Sequence, residues 1–255
     1  MISHRANIDK NRDTYKTMKT QITLMQPWLP RPTVGMLWKA WLLSAMLIVW
    51  LANGTSIDLY LADQHFDFAQ QAFSQKHDFF YETIMHEYAK HVLTLFWLTL
   101  LIISCLPERW VSKWLTVSMR YKLRWILFLA LLNALLVSGL KHQMPHACPW
   151  DVARYGGDLE WAPTFSSHPS VEEGHCFPAG HASSGVWLSA LCLLWLPHAP
   201  RKALFVGLSG LAVGFMLGWA QQVRGAHFLS HTLTTLWLMC SWLLLVLTYT
   251  KSRTE

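Results

Sequence analysis

Six long apolar stretches separate the charged segments of this chain, and they limit its fold more than any other feature. They lie at residues 37–52, 91–106, 125–140, 182–196, 203–220 and 233–249. Hydrophobic residue types make up 53% of the 255 residues. A helix satisfies its backbone hydrogen bonds internally, so helices of about 20 mostly apolar residues can cross a bilayer. The sequence therefore predicts an all-α, polytopic membrane bundle of six transmembrane helices.

The domain boundaries follow from these stretches. We expect a cytoplasmic N-terminal tail at residues 1–36, a six-helix membrane domain at 37–249 and a cytoplasmic tail at 250–255. The first thirty residues are polar and basic, so the pattern predicts no cleavable signal peptide. The first helix is then its own insertion signal.

Basic and acidic segments alternate along the chain, and the positive-inside rule turns this alternation into an orientation. Both tails, the second loop and the fourth loop are rich in Lys and Arg, whereas the first and third loops are acidic. We therefore expect both termini in the cytoplasm of a bacterial-type cell and the third loop on the outer face of its inner membrane. The net charge of +6 then suits phospholipid head groups as partners. The sequence lacks a basic and aromatic module for nucleic acid, so we expect no such partner.

Two further patterns concern the surface and the packing of the helices. The first loop, residues 53–90, mixes aromatic and acidic residues, which predicts an amphipathic helix at the outer interface. The fifth apolar stretch carries Gly210, Gly214 and Gly218 at intervals of four. This spacing lets another helix approach closely.

Two of the five cysteines differ from the others in their surroundings. Cys148 and Cys176 both fall in the third loop, where an oxidising compartment would permit a disulfide between them. Spacing alone does not establish the bridge, so two free thiols stay open as the alternative. The other three cysteines lie in or near apolar stretches, where we expect them to pack as small apolar residues.

Several ionisable residues stand at the outer ends of different predicted helices. Lys141 ends the third helix, His181 begins the fourth, and Arg224, His227 and His231 lie between the fifth and the sixth. Ionisable groups at membrane depth are costly and by default mark a functional site. Two cations together with several imidazoles indicate a site for an anion, and a phosphate is the simplest candidate.

The residue types suit phosphoryl transfer, which is catalysed mainly by positioning and by stabilising negative oxygens. Lys141 and Arg224 supply positive charge. Gly180 stands at a predicted helix N-terminus, where the backbone can approach an anion that the helix dipole also favours. One imidazole can attack phosphorus to give a phosphohistidine, and another can protonate the departing alkoxide.

Three motifs at these helix ends resemble those of the type-2 phosphatidic acid phosphatase superfamily, whose membrane branch contains the lipid phosphate phosphatases related to vanadium haloperoxidases. The family pattern is KxxxxxxRP, then PSGH, then SRxxxxxHxxxD. The chain has KHQMPHACP at 141–149, PAGH at 178–181 and AQQVRGAHFLSH at 220–231. The resemblance extends from the third predicted helix to the sixth and implies a six-helix membrane phosphatase.

The resemblance implies a role for each matching residue. It makes Lys141 a phosphate contact, Gly180 a backbone N–H donor, His181 the general acid and His227 the nucleophile. It further implies hydrolysis of a phosphomonoester or pyrophosphate on a lipid, with no metal or other cofactor. Phosphatidate, phosphatidylglycerophosphate, a polyprenyl pyrophosphate and lipid A phosphates all fit, as does transfer to another lipid.

Four positions depart from the family pattern. Cys148 and Gln221 stand where the family has Arg, Ala179 where it has Ser, and His231 where it has Asp. Arg224 follows Gln221 by one helical turn and is expected to point into the same pocket. Arg154 is the candidate to replace the other arginine. We expect His231 to orient His227 in place of the missing Asp.

Two other classes of function stay open. His227 and His231 are four residues apart, a spacing typical of metal ligands on a helix. The residues that would complete a zinc site are His175, His181, Glu172 and Glu173. The segment between the two histidines has no Glu to act as a general base, which counts against a zinc hydrolase. A channel, or a non-catalytic relative that binds lipid head groups, is the second alternative, but polar residues gathered at one end of the helices favour a head-group site over a pore.

Overall fold

The computed structural model describes residues 25–166 and 174–253, and these residues form a bundle of helices. The helices are α1 (Arg31–Gly54), α2 (Ile57–Asp63), α3 (Phe79–Cys105), α4 (Glu108–Val111), α5 (Val117–Gln143), α6 (Gly180–Leu194), α7 (Pro200–Val223) and α8 (Leu229–Tyr249). Short 3-10 turns lie at Pro149–Asp151 and Ala153–Tyr155. Two-residue strands pair antiparallel, β1 (Met25–Gln26) with β4 (Ser252–Arg253) and β2 (Phe66–Asp67) with β3 (Ala72–Phe73). The predicted all-α membrane-type bundle is confirmed.

Five of the described helices, α1, α3, α5, α7 and α8, are long and apolar enough to cross a membrane. The fourth predicted span, residues 182–196, corresponds to α6, which is apolar but shorter and changes from α-helical to 3-10 geometry at Trp187. A 3-10 turn rises about 2.0 Å per residue against about 1.5 Å in an α-helix. The segment therefore reaches further than its residue count suggests, although length alone gives five spans and not six.

Most helices are longer than the apolar stretches that predicted them, because flanking residues extend one end or both. Helix α1 begins at Arg31, inside the predicted tail. The largest difference is in the first loop, where the structure has no separate interfacial helix of the predicted kind within its described residues. The aromatic residues from Phe79 onwards instead begin α3, and the earlier part of the loop forms α2 and the β2–β3 hairpin.

Helix α6 lies at the centre of the bundle, packed against α5, α7 and α8. Val186, Ala190 and Leu193 on α6 are fully buried. A side chain at Gly210 on α7 would overlap the α6 backbone at Ser189. The close approach predicted from the spaced glycines of α7 is therefore present.

The bundle has two distinct ends. At the terminal end, β1 pairs with β4 and the Trp28 indole donates to the Thr250 hydroxyl over 2.8 Å. Lys122, near the start of α5, donates to the Leu196 carbonyl at the same end over 2.7 Å. Because α5 runs the length of the bundle, its last turn lies at the opposite end, which we name the site end.

Candidate phosphate site

Lys141 and the start of α6 meet at the site end. Lys141 lies in the last turn of α5, where a cation is favoured by the helix dipole. Ala179 is the non-helical residue before α6 and Gly180 is the first helical one. The backbone N–H of Ala179 donates to the His231 carbonyl over 3.3 Å, and the Thr235 hydroxyl donates to the Ala179 carbonyl over 3.1 Å. Two bonds to α8 thus fix the place where α6 begins.

A tight turn between α7 and α8 carries His227. Gly225 in this turn has φ +79°, and a side chain there would overlap the Phe73 ring. Glycine is therefore required on two counts, the backbone conformation and the space. The Gly225 carbonyl accepts the Trp150 N–H over 3.0 Å, which ties the turn to the segment after Cys148.

The imidazoles of His227 and His231 are almost completely buried, with 3% and 1% of each residue exposed. Their ring centroids are 5.9 Å apart and the rings are close to perpendicular. The His231 ring also lies within ring contact of His146, at 6.3 Å, and of Phe177, at 5.4 Å. The Nδ1 atoms of both His227 and His231 have no hydrogen-bond partner among the described residues. The two rings are thus neighbours in packing contact.

Burial lowers the pKa of His227 well below its usual value, and the nearby His231, Lys141 and His181 lower it further. A hydrogen bond with the Cys176 backbone acts in the opposite direction, but weakly. The ring is therefore neutral at neutral pH. A neutral imidazole has the free lone pair that a nucleophile needs.

A disulfide joins Cys148 to Cys176, the pair considered from the sequence, with their Cα atoms 5.2 Å apart. The Cys176 N–H donates to the His146 carbonyl over 2.9 Å. Since the Cys176 backbone also contacts the buried imidazoles, the disulfide holds the segment before α6 against the histidines.

Arg224 is buried at the site end and its guanidinium has three partners. Its Nε donates to the Lys76 carbonyl over 2.9 Å, and one terminal nitrogen donates to the Gln221 amide oxygen over 3.0 Å. The other terminal nitrogen forms a 2.7 Å ion pair with Glu82. Gln221, which stands where the resemblance expects Arg, therefore binds the arginine one turn further along.

Arg154 lies in a different place. Its guanidinium binds both carboxylate oxygens of Asp63, at 2.8 and 2.7 Å, and this pairing lowers the pKa of Asp63. The Tyr155 hydroxyl donates to the same carboxylate over 2.8 Å. Arg154, like Arg224, His227 and His231, does not line the cavity described next. Arg224 is close enough to act on the charge of His181, and Lys141 and His181 act on that of His227, whereas Arg154 acts on neither imidazole.

A cavity of about 450 Å³ opens between α3, α5 and α6. At one end its walls are polar, with Lys90, Lys141, Gly180 and His181. Further along, its walls are mostly apolar side chains of all three helices: Leu93, Trp97, Ala130, Leu131, Ala134, Val137 and Trp187. The cavity thus joins a cationic end to an apolar channel between helices.

The family model of the PAP2 superfamily matches residues 122–255, which include all of these site residues on α5 to α8. The chain belongs to the PAP2 superfamily. This superfamily generally comprises phosphoric ester hydrolases, and it supports a phosphatase-type function. No curated protein and no solved structure matches the chain.

Three site residues lie outside the PAP2 match and were missed in the sequence. Glu82 pairs with Arg224. The ring centroid of His86 is 4.0 Å from that of His181, and Lys90 lines the cavity. Their spacing of four residues was visible, but the acids and aromatic residues around them resembled a surface helix.

Asp58 was also missed. One oxygen of its buried carboxylate accepts the Ser230 N–H over 2.9 Å, and the other accepts the Ser230 hydroxyl over 2.5 Å. Burial raises the pKa of this carboxyl group. Asp58 thus caps the first turn of α8, directly before His231, from a distant part of the chain.

The proposed zinc ligands are only partly described. Glu172 and Glu173 lie outside the described residues. His175 is exposed, and its Nδ1 is 3.2 Å from the Lys141 carbonyl. Among the described residues, the one group of three or more His, Cys, Asp or Glu side chains close enough to share an ion is Cys148, Asp151 and Cys176. Two of its members are joined in the disulfide.

Proposed function

We propose that this PAP2 protein is a membrane lipid phosphatase that hydrolyses a phosphomonoester or pyrophosphate on a lipid through a phosphohistidine. The observation that carries the proposal is the cavity, because its cationic end and its apolar walls match the two parts of such a substrate. A phosphate head group fits beside Lys141 and His181, while the hydrocarbon chain fits between α3, α5 and α6. A substrate that is already in the membrane needs no path through water.

In the proposed reaction the neutral His227 imidazole attacks phosphorus, a nitrogen–phosphorus bond forms and the bond to the lipid oxygen breaks. His181 in its protonated form, which the negative charge of the bound phosphate favours, gives a proton to the departing oxygen. Water then attacks the phosphohistidine, with His181 taking its proton, and this step releases inorganic phosphate and regenerates His227. The low pKa of His227 supports its part, since the ring stays unprotonated at neutral pH.

Positive charge and backbone donors stabilise the phosphate oxygens in this proposal. Lys141 and the N–H of Gly180 at the start of α6 bind them directly. Arg224 replaces the family's arginine from one turn further along. Three of its five N–H donors are used by described partners, which leaves two for the substrate. Arg154, bound to Asp63, has no part in the phosphate site as we propose it.

His231 is proposed to orient His227 by packing against it. The rings are in contact at 5.9 Å between centroids, and α8 holds His231 rigidly because Asp58 and Ala179 both bind the first turns of that helix. A histidine in this place cannot stabilise a cationic His227 as a carboxylate would. The nucleophile is instead held neutral.

We propose a bacterial-type inner membrane as the location, with both termini in the cytoplasm and the site on the outer face. The excess of Lys and Arg in the tails and in the second and fourth loops supports this orientation. The pairing of β1 with β4 supports the segments before α1 and after α8 being on one side. The Cys148–Cys176 disulfide at the site end supports an oxidising compartment there.

The orientation has a direct test in intact cells. In a cysteine-free version, a cysteine at Asp158 should react with a membrane-impermeant thiol reagent, and one at Lys113 should not. Asp158 is exposed at the site end, and Lys113 is an exposed residue after α4. Labelling in the reverse order would place the site in the cytoplasm.

A phosphate-release panel tests the function itself. The purified protein is given phosphatidate, phosphatidylglycerophosphate, a polyprenyl pyrophosphate and a lipid A phosphate in mixed micelles, with His227→Ala as the negative control. We expect release from at least one lipid, unchanged by a metal chelator. Release that the chelator abolishes would favour a zinc hydrolase. Lipid binding without release from any of them would favour a non-catalytic relative.

A further inference from the structure

The first part of α3 has unusual geometry and faces the site. Its residues Phe79–Tyr88 form a π-helix, and the Asp78 side chain caps the first turn. Such turns are rare and are often found at functional sites. Residues four apart follow one another along nearly the same side of a helix, and Glu82, His86 and Lys90 form a row of this kind.

Each member of this row lies against a different part of the phosphate site. Glu82 pairs with Arg224 over 2.7 Å. The His86 ring lies over the His181 ring, with 4.0 Å between centroids and 32° between planes. Lys90 lines the cavity beside His181. The PAP2 match covers none of the three, because it begins at residue 122.

The contact between His86 and His181 restricts the protonation states that the two rings can adopt together. Two imidazoles at this distance resist double protonation, so the pair carries a single proton more easily than two. The Nδ1 of His86 is buried without a hydrogen-bond partner among the described residues. The charged groups that act on His86 are Arg224, Glu87, Lys90 and Glu82. His86 thus limits both the orientation and the charge of its neighbour.

We propose that α3 completes the site: Lys90 binds the substrate phosphate on the side of the leaving oxygen, and His86 positions the ring of the proposed acid His181. This inference rests on the proposed function. Lys90 supplies a second ammonium at the cationic end of the cavity, next to the residue that protonates the leaving group. His86 touches His181 and acts through it.

Lys90 is tested by the dependence of rate on lipid concentration. Lys90→Met should raise KM for long-chain phosphatidate, or for whichever lipid of the panel is hydrolysed, by about tenfold or more, because a charge-assisted hydrogen bond to phosphate is lost. Lys90→Arg should recover most of the loss. The matched control is His91→Ala, an exposed neighbour on the same helix. A Lys90→Met protein with the KM of the control overturns the role of Lys90.

His86 is tested by changing the leaving group. His86→Ala should lower kcat on the lipid by about tenfold or more, within the range of general acid catalysis. The loss should be much smaller on p-nitrophenyl phosphate, whose leaving group needs no proton. His86→Phe should recover part of the lipid activity, since a ring again packs on His181. Equal losses on both substrates would show a general structural role and overturn the assignment.

Binding of inorganic phosphate separates this inference from the proposed function. In one outcome the parent hydrolyses no lipid but binds phosphate, and Lys90→Met weakens that binding about tenfold while His91→Ala does not. Lys90 then binds phosphate, and the hydrolase proposal is wrong. If the parent is active and both α3 variants equal the control, the proposed function stands and α3 has no part in the site. A parent that neither binds phosphate nor releases it overturns both.

Discussion

Helices α5, α7 and α8 differ from α1 and α3 in how much of their surface the protein itself covers. In the most apolar stretch of each helix, 39%, 33% and 33% of residues are buried in the first three, against 6% in each of the other two. The PAP2 match begins within α5 and covers the well-packed group. The motif residues are therefore held by a packed core, while α3 reaches the site from the less covered periphery of the bundle with three polar side chains.

The largest expected effect is in the packed group. His227→Ala should lower the rate of lipid phosphate release by at least about a thousandfold, since the loss of a nucleophile leaves only binding and electrostatic effects. His91→Ala on α3, an exposed residue, should change the rate by less than about twofold. The measurement is phosphate release in mixed micelles. Comparable losses of rate in the two variants would contradict a difference in function between the packed helices and this position on α3.

Removing the disulfide should have the second largest effect, on both stability and rate, because the bridge fixes the segment before α6. The double variant Cys148→Ser with Cys176→Ser opens a loop with a sequence separation of 28 residues and should lower the free energy of unfolding by about 3 kcal/mol. Its phosphatase rate should also fall, since the Cys176 backbone contacts the imidazoles. Thermal unfolding in detergent measures the first effect, with Cys105→Ser, an exposed free cysteine, as control. Equal midpoints for the two variants would contradict the prediction.

Core packing gives a smaller and more direct comparison of the two groups. Leu193 on α6 is fully buried, whereas Leu98 on α3 is 42% exposed. Leu193→Ala should cost about 2 kcal/mol or more through the cavity that it leaves, and Leu98→Ala should cost less than about 0.5 kcal/mol. Both values come from thermal unfolding in the same detergent. If Leu98→Ala costs as much, α3 packs more tightly than its exposure indicates.

The smallest expected effect is on the pH profile. Because burial and nearby positive groups lower the pKa of His227, protonation should inactivate it only in more acid solution. With p-nitrophenyl phosphate, which needs no general acid, the rate should fall less than about twofold between pH 7.5 and pH 6. An imidazole with the usual pKa near 6.5 would lose about fourfold. A fourfold loss that disappears in buffers above pH 7 would show an ordinary, hydrated His227.

Much of the fold was predictable because the apolar stretches define helices and their order. The site positions of Lys141, Gly180 and His181 were predictable for the same reason, since each stands at a helix end. The geometry of the short α6 was not predictable, because a change to 3-10 geometry at Trp187 leaves no recognisable pattern in an apolar sequence. Nor was the role of Glu82 and Arg154, since ion-pair partners far apart in sequence are chosen by tertiary packing and not by spacing.

The first loop shows a second limit of the sequence. Its aromatic residues were predicted to lie on the membrane interface, and Phe68, Phe79 and Phe80 are indeed exposed. Phe66 and Phe73 are instead buried and pack on Tyr155 at 5.1 and 5.3 Å. Beside the Phe73 ring of this cluster, position 225 has space for glycine but not for a residue with a side chain. Aromatic residues next to acids suit a bilayer surface and a local core equally well, so only the fold decides between them.

Trapping the phosphorylated protein shows which residue carries the phosphate during turnover. The protein is mixed with labelled lipid phosphate, quenched within milliseconds, and digested to find the labelled residue. We predict phosphate on His227 that is stable in base and labile in acid, absent from His227→Ala, and present in the control His198→Ala, whose residue is exposed beyond the far end of α6. Acid-stable label, label on another residue, or label that persists in His227→Ala would contradict a phosphohistidine in the turn before α8.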